Sequence, residues 1–435
     1  MDPATLAGLT LLVVIVIGIV FSLPIAIVIG TASFLAAIPL LGMEQAVLVT
    51  AQRMFTGINS FPLLAIPLFV LAGVIMNNGG IAGRLVDFAK VVTGRMPASL
   101  AQTNVVANSM FGAVSGAAVA AAAAVGNVMS PRMAKEGYDR RFAAAVNVAS
   151  APAGMLIPPS NTFIVYSLVS STSIAALFMA GLFPGLLWAF ACMIVVYLYA
   201  RKQPGRLKAT ERVSFSQAMR VLWRAVPSLL MIIIVVGGIL AGYFTATESA
   251  SIAVVYCLVL AAVYRSIKLR DLPSILVDAG RTTAIVMLLV AVSTALSFVM
   301  SFARIPDIIS DAVLGFTDSS VVVLIIMMVV LLAVGTFMDP TPAILIFVPI
   351  FLPIVTEFGV DPVHFGAMVV MNLSVGVITP PVGNVLFVGA RIARLRIEPV
   401  IRQLWPFLLA IIIALFIVVF IPQLSTWLPT TMGLM

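Results

Sequence analysis

Charge is what this chain has least of. Its 435 residues include 24 Lys or Arg and 16 Asp or Glu, 9% together, where soluble domains carry roughly a quarter. With 62% hydrophobic residues, that shortage excludes an ordinary soluble enzyme or binding module. Histidine occurs once, at His364, and cysteine twice, at Cys192 and Cys257. No Cys/His cluster exists to hold zinc, and both cysteines lie inside apolar runs, where they read as packing residues. HExxH and GxSxG are missing, which argues against a membrane-embedded enzyme built on a metal or a nucleophile–base pair. No transition metal and no organic cofactor is expected. Short alternating strands are also missing, which excludes a membrane β-barrel. No basic segment precedes the first apolar run, so no cleavable leader is expected. The net charge of +8 is no nucleic-acid signature, because the basic residues gather in loops on one side.

What is present is a series of apolar runs of about 20 residues, the length of a bilayer-crossing helix. The chain therefore reads as an all-α polytopic membrane protein. Residues 5–41 are too long for one crossing and divide at Ser22-Leu23-Pro24. Glu44–Ile58 reads as an amphipathic interfacial segment, 61–76 as a third span, and Ile81–Thr93 as an arm on the membrane surface. Over 97–130 two apolar pieces, about 98–111 and 117–129, meet at Ser115-Gly116, with Asn104, Asn108 and Asn127 alongside. Each piece is short for a crossing, so the pair is read as a re-entrant helical hairpin.

The segment GMLIPPSNTFIVY at 154–166 interrupts the next helix. Two prolines remove two donors and cannot continue the preceding helix. A broken helix is thus expected over about 142–170, restarting near Ser160. A last span runs over about 175–200, and the basic segment 201–224 follows.

The second half repeats the first at an offset of 222. Pro131 matches Pro353, Gly137 matches Gly359, Asp139 matches Asp361, Gly154 matches Gly376, and Pro158-Pro159 matches Pro380-Pro381, with no gap. Transferring the first-half elements predicts spans near 227–243, 246–263 and 283–300. It also predicts an arm near 303–316, a hairpin over 319–352, a broken helix over 364–392 and a last span over 399–421. The domains are then a first repeat at 1–200, a linker at 201–224 and a second repeat at 225–435. Each repeat has five crossings plus its hairpin and its Pro-Pro-broken helix. Five is odd, so the repeats enter the membrane from opposite sides and have inverted topology. With the linker in the cytoplasm, every Lys and Arg except Arg53 and Arg304 falls on the cytoplasmic side, as the positive-inside rule requires. Both termini then lie outside.

Inverted repeats with discontinuous helices are the pattern of secondary transporters; a channel fits the pseudo-symmetric pair of hairpins less well. A helix restarting in the protein interior turns free N–H groups and a positive dipole end toward an anion. The half-helix that stops before it offers free carbonyls to a hard cation such as Na⁺. Two repeats give two or more cation sites, assigned to Ser115, Gly116, Gly154, Pro158 and Asn161 in the first half. Their second-half partners are Gly335, Thr336, Asp339, Gly376, Thr379 and Pro380. The anion is placed between the hairpin tips, on Ser160, Asn161, Thr162, Asp339, Thr341, Gly383 and Asn384. Asp339, a carboxylate at membrane depth, reads as functional or as a helix N-cap before Pro340. Glu248 reads as a cap, an interfacial residue or a site. His364 reads as interfacial, with proton sensing as the alternative.

These motifs resemble a known family. GMLIPPSNTFIVY at 154–166, FTATESA at 244–250, GTFMDPTPAILIFVPIFLP at 335–353 and GVITPPVGNVLFV at 376–388 are similar to the large membrane subunit of TRAP (tripartite ATP-independent periplasmic) transporters. The Ser-Asn-Thr at 160–162 is also similar to the wider superfamily of elevator-type, sodium-coupled dicarboxylate transporters. The resemblance implies a multi-pass protein of a bacterial inner membrane. It implies a separate small membrane subunit of about four spans and a periplasmic protein that delivers an organic acid such as a C4-dicarboxylate or sialic acid. It further implies uptake driven by a sodium gradient, with the hairpins and broken helices moving against a scaffold of arms and outer spans. The chain departs from the family at its first hairpin tip, where Ala117-Ala118 follow Ser115-Gly116 in place of further hydroxyls. A stand-alone sodium-coupled carboxylate transporter is the alternative reading.

Overall fold

The computed structural model describes residues 2–21, 23–202, 215–308 and 319–435. Among them the chain is helical, without a strand. Helices α1 (Pro3–Val20), α2 (Ile25–Leu41) and α3 (Met43–Ile58) are followed by a 3₁₀ turn at Phe61–Leu64 and by α4 (Ala65–Asn78). The arm α5 (Ile81–Thr93) leads to a hairpin of α6 (Ser99–Ser115) and α7 (Ala118–Lys135). Next come α8 (Arg140–Ser150), the short α9 (Ala153–Leu156), α10 (Asn161–Ser170) and α11 (Ile174–Arg201). The second half comprises α12 (Phe215–Leu240), α13 (Ala246–Val263) and α14 (Leu272–Phe302). A second hairpin, α15 (Ser320–Gly335) and α16 (Pro340–Glu357), precedes α17 (Pro362–Gly376), α18 (Asn384–Ala393), α19 (Ile397–Phe420) and α20 (Gln423–Thr431).

Each boundary has a local cause. Pro24, which has no N–H to donate, stands between α1 and α2. Asp139 caps α8 by accepting from Arg141 N at 2.8 Å, and Asp361 caps α17 by accepting from Val363 N at 2.7 Å. Glu248 forms a capping box with Thr245, accepting from its backbone N–H at 2.7 Å and its hydroxyl at 2.8 Å. That accounts for Glu248 as a cap. His364 is buried, not surface-lying: its Nδ1 lies 2.6 Å from Ser425 Oγ and its Nε2 3.3 Å from the Val419 carbonyl. Both ring nitrogens have partners supplied by α19 and α20.

The two halves correspond element by element. α7 and α16 begin and end 222 residues apart, and α1/α12, α2/α13, α6/α15 and α11/α19 fall in the same order. Three sequence expectations need correction. First, the span expected near 283–300 is the second part of one 31-residue helix, α14, which begins at Leu272. The break after α3 uses Ser60-Phe61-Pro62; the matching residues Thr282-Thr283-Ala284 include no proline, so nothing interrupts the ladder. Second, the hairpin arms are longer than the short pieces expected, 17 and 18 residues in the first and 16 and 18 in the second. α7 carries Pro131 in its interior and runs on to Lys135 instead of stopping near 130. Third, the gapless register ends at the prolines. Asn161 and Asn384 open the restarted helices 223 residues apart, and so do Ile174 and Ile397, because Gly383, in a left-handed conformation at φ 46°, adds one residue to the second break.

The broken helix is also interrupted earlier than the proline pair. Pro152 lacks an N–H and separates α8 from α9. The Ala149 carbonyl at the end of α8 instead accepts from the buried Trp188 indole at 2.8 Å. Among the described residues, seven helices are long and apolar enough to cross a membrane, and eight with the pair 140–156 and 161–170, bent by 44°. α16 is among the seven, so its length alone does not mark it as a hairpin arm. Residues 309–316 of the predicted arm near 303–316 and residues 203–214 of the linker lie outside the described residues, and the linker's remainder, 215–224, is instead the first part of α12.

The core runs between the halves. α10 packs on α16, α7 on α18 and α8 on α19. Tyr166 donates to the Pro362 carbonyl at 2.6 Å, and Gly366 leaves room for the Tyr166 ring, which a Cβ there would meet at 2.6 Å. Each hairpin is thereby fixed against both broken helices.

Candidate substrate and ion site

Where each hairpin meets its own broken helix, two glycines touch. A Cβ on Gly112 would lie 2.6 Å from the Gly154 Cα, and one on Gly335 would lie 3.2 Å from the Gly376 Cα. Any side chain at these crossings would push hairpin and broken helix apart. Beyond the crossings both broken helices run into cis Pro-Pro bonds, Pro158-Pro159 and Pro380-Pro381, and then restart at an asparagine.

Each restart faces a hairpin tip. Gly116 forms the first tip in a left-handed conformation at φ 62°, with the Asn161 amide against it; a Cβ there would sit 3.0 Å from Asn161 Nδ2. Two constraints therefore require glycine at 116, one conformational and one steric. At the second tip the Gly383 N–H faces the Thr336 carbonyl at 3.5 Å, and Asn384 Nδ2 donates to Asp339 Oδ1 at 2.8 Å. Asp339 precedes α16 but accepts no capping bond from it. Its carboxylate is turned instead to Asn384 at the opposing helix start, so Asp339 is not the side-chain cap of α16.

Between the tips lies a cavity of about 410 Å³. Ser115, Gly116, Asn161, Thr162, Asp339 and Thr341, all read from the sequence as site residues, line it. The remaining assigned residues do not. Ser160 is fully buried and its hydroxyl donates to the Met155 carbonyl, which removes it from the substrate set. The Thr336 and Thr379 hydroxyls donate at 2.7 Å to carbonyls one turn back in their own helices. Gly154, Pro158, Gly335, Gly376, Pro380, Gly383 and Asn384 lie at the crossings and breaks and do not line the cavity.

Helix starts and the Asp339 carboxylate share the cavity wall. Ala118, Asn161 and Pro340, the first residues of α7, α10 and α16, all line the cavity, and so does Val385, second in α18. Four positive helix ends thus converge on one volume, each contributing about 0.3–1 kcal/mol of attraction to an anion, more where water is excluded. The rest of the wall is mainly apolar, from α4 and α14. Sequence reasoning missed Asn77, Gly73 and Thr282, which also line the cavity. Asn77 could have been found as a polar residue closing an apolar span. Thr282 could have been found as the position that replaces the Ser60 break.

Buried behind the first hairpin is an amide cluster. Asn108 Nδ2 donates to Asn104 Oδ1 at 2.9 Å and to Ser150 Oγ at 2.8 Å. Asn147 Nδ2 donates across to the Ala122 carbonyl at 2.9 Å. The cluster fixes α6, α7 and α8 as one unit. Asn127 takes no part and lines a separate cavity with Arg140 and Arg394.

A family model described as "Tripartite ATP-independent periplasmic transporter, DctM component" matches residues 12–424. The chain belongs to this family. It is 50% identical to "Uncharacterized protein YgiK" of Salmonella typhimurium, over 94% of this chain and 93% of that one. It is 38% identical to the "C4-dicarboxylate TRAP transporter large permease protein DctM" of Pseudomonas aeruginosa, over 88% and 90%. It is 37% identical to the "Sialic acid TRAP transporter large permease protein SiaM" of Vibrio cholerae, over 87% and 88%. The crystal structure of the Alcanivorax borkumensis YdaH transporter, of unusual topology, superposes with a TM-score of 0.62 over the full length of both chains, at 14% identity. That likeness concerns the fold. The large-permease family and the helical hairpin architecture agree with the resemblance drawn from the motifs.

Proposed function

We propose that this chain is the large permease subunit of a sodium-coupled transporter that takes up an organic acid anion. Its partners in this reading are a small membrane subunit and a periplasmic binding protein, and its location is a bacterial inner membrane with both termini outside. The observation that carries the reading is the convergence of four helix starts and both hairpin tips on one cavity. Converging N–H groups and dipole ends suit a carboxylate. Relatives named for C4-dicarboxylate and for sialic acid support that class.

Sodium enters the reading as cargo. The Asp339 carboxylate and the backbone carbonyls at the breaks are hard oxygen donors of the kind Na⁺ takes. Binding of sodium at the junctions orders the tips against the restarted helices, which completes the anion site; the two ligands are then coupled by linkage. The hairpins and broken helices form the moving body and α1–α5 with α12–α14 the scaffold, so that the loaded cavity is carried across.

Uptake of labelled organic acids into proteoliposomes tests this. The vesicles hold the chain with its co-purified small subunit, with and without an inward sodium gradient and the candidate binding protein. Uptake that needs both supports the tripartite reading. Uptake with sodium alone makes the chain a self-sufficient carboxylate transporter, and uptake indifferent to sodium removes the coupling.

A further inference from the structure

We infer that the arm α5 and the adjoining ends of α12 and α13 form a binding site for the headgroup of an anionic phospholipid, distinct from the transport cavity. A second cavity, of about 600 Å³, is lined by Arg84 and Asp87 of the arm, Trp223, Arg224 and Pro227 of α12, and Tyr264 at the end of α13. The Arg84 guanidinium lies over the Tyr264 ring, 3.1 Å from its centroid. Stacking orients the guanidinium but supplies no acceptor. Arg84 Nη1 and Tyr264 Oη are both shielded from water, and neither has a hydrogen-bond partner. Buried donors without acceptors are costly and call for an explanation.

The missing partner is an anion. Asp87, the one carboxylate on the cavity wall, is already engaged by Arg132 at 2.9 Å. Arg224 is exposed and makes no ion pair among the described residues. The cavity therefore holds an excess of positive charge, and the exposed Arg224 guanidinium can take a phosphodiester in the bidentate manner arginine favours.

The rim decides between a soluble anion and a lipid. Trp223 on the cavity wall is 70% exposed, and the two helices that meet there also carry the exposed Val92, Met219 and Leu222. An exposed indole beside arginines is the arrangement that takes a headgroup and lays acyl chains alongside. Bound there, a lipid joins the arm, which packs on the first hairpin, to the outer helix α12.

The test uses the full chain purified with its membrane partner in neutral detergent. Binding of phosphatidylglycerol, phosphatidylcholine and inorganic phosphate is measured by native mass spectrometry and by quenching of tryptophan fluorescence with brominated lipid. Phosphatidylglycerol is expected to saturate a site and to bind about fivefold more weakly to Arg84→Gln and to Arg224→Gln. Arg265→Gln, outside the cavity, is expected to leave binding unchanged. Arg224 is exposed, so its variant keeps the test open if Arg84→Gln fails to fold. Equal binding of phosphatidylcholine, equally tight binding of inorganic phosphate, or indifference of both cavity variants would overturn the inference.

Discussion

Asn384, the first residue of α18, donates through Nδ2 to Asp339 Oδ1 at the second hairpin tip, at 2.8 Å. The first half places Asn161 against Gly116 at the matching point. The two tips are therefore locked in different ways: one by a charge-assisted bond, the other by close packing.

The first prediction concerns that bond. Hydrogen bonds to a charged group are worth about 1.5–3 kcal/mol, so Asn384→Ala and Asp339→Ala should each lower uptake by about tenfold or more. The double variant should cost little beyond the worse single one. Initial uptake rates of the four proteins give the coupling; simple additivity would show that the two side chains act separately.

Gly154→Ala and Gly237→Ala separate close approach from helix propensity. Gly154 meets Gly112 backbone to backbone, whereas a Cβ on Gly237 meets nothing within 4 Å. Gly154→Ala should lower the thermal unfolding midpoint sharply or prevent folding. Gly237→Ala, in an α-helix, should be neutral or stabilising by up to about 1 kcal/mol. Thermal unfolding in detergent distinguishes them, and equal effects would contradict the crossing geometry.

Trp188→Phe keeps the buried ring and removes the N–H that the Ala149 carbonyl accepts. The expected loss is about 1–3 kcal/mol of stability, seen as a lower unfolding midpoint, with the sodium dependence of uptake unchanged. A change in sodium dependence without loss of stability would assign Trp188 to the transport machinery.

Much of this was legible in the sequence, and the reasons are local. Proline and glycine punctuate a helix wherever they stand, so the breaks at Pro24, Pro158-Pro159 and Pro380-Pro381 and the tip at Gly116 could be read one residue at a time. Asp339 could be read because a carboxylate at membrane depth is costly. What could not be read depends on tertiary packing. Nothing local tells that the Ser160 hydroxyl turns back to Met155, or that Asn384 and not Gly383 is the counterpart of Asn161. Hairpin length was underestimated because α7 passes through Pro131. The cavity around Arg84 joins the arm to α12 and α13, far along the chain, and no motif announces it.

Glu248→Gln tests the reading of a charged residue as a cap alone. Its carboxylate is occupied by the Thr245 backbone and hydroxyl, so the variant should unfold at a slightly lower temperature while transporting at the wild-type rate per folded molecule. A loss of sodium coupling with unchanged stability would place Glu248 in an ion site.

The most direct test of the central claim is the sodium dependence of uptake in proteoliposomes for wild type, Asp339→Asn and Ser115→Ala. If sodium and the anion are held where tips and restarted helices meet, both variants raise the sodium concentration for half-maximal uptake, Asp339→Asn by about tenfold or more. Sodium curves that superimpose on the wild type in both variants would show that the coupling ion binds elsewhere.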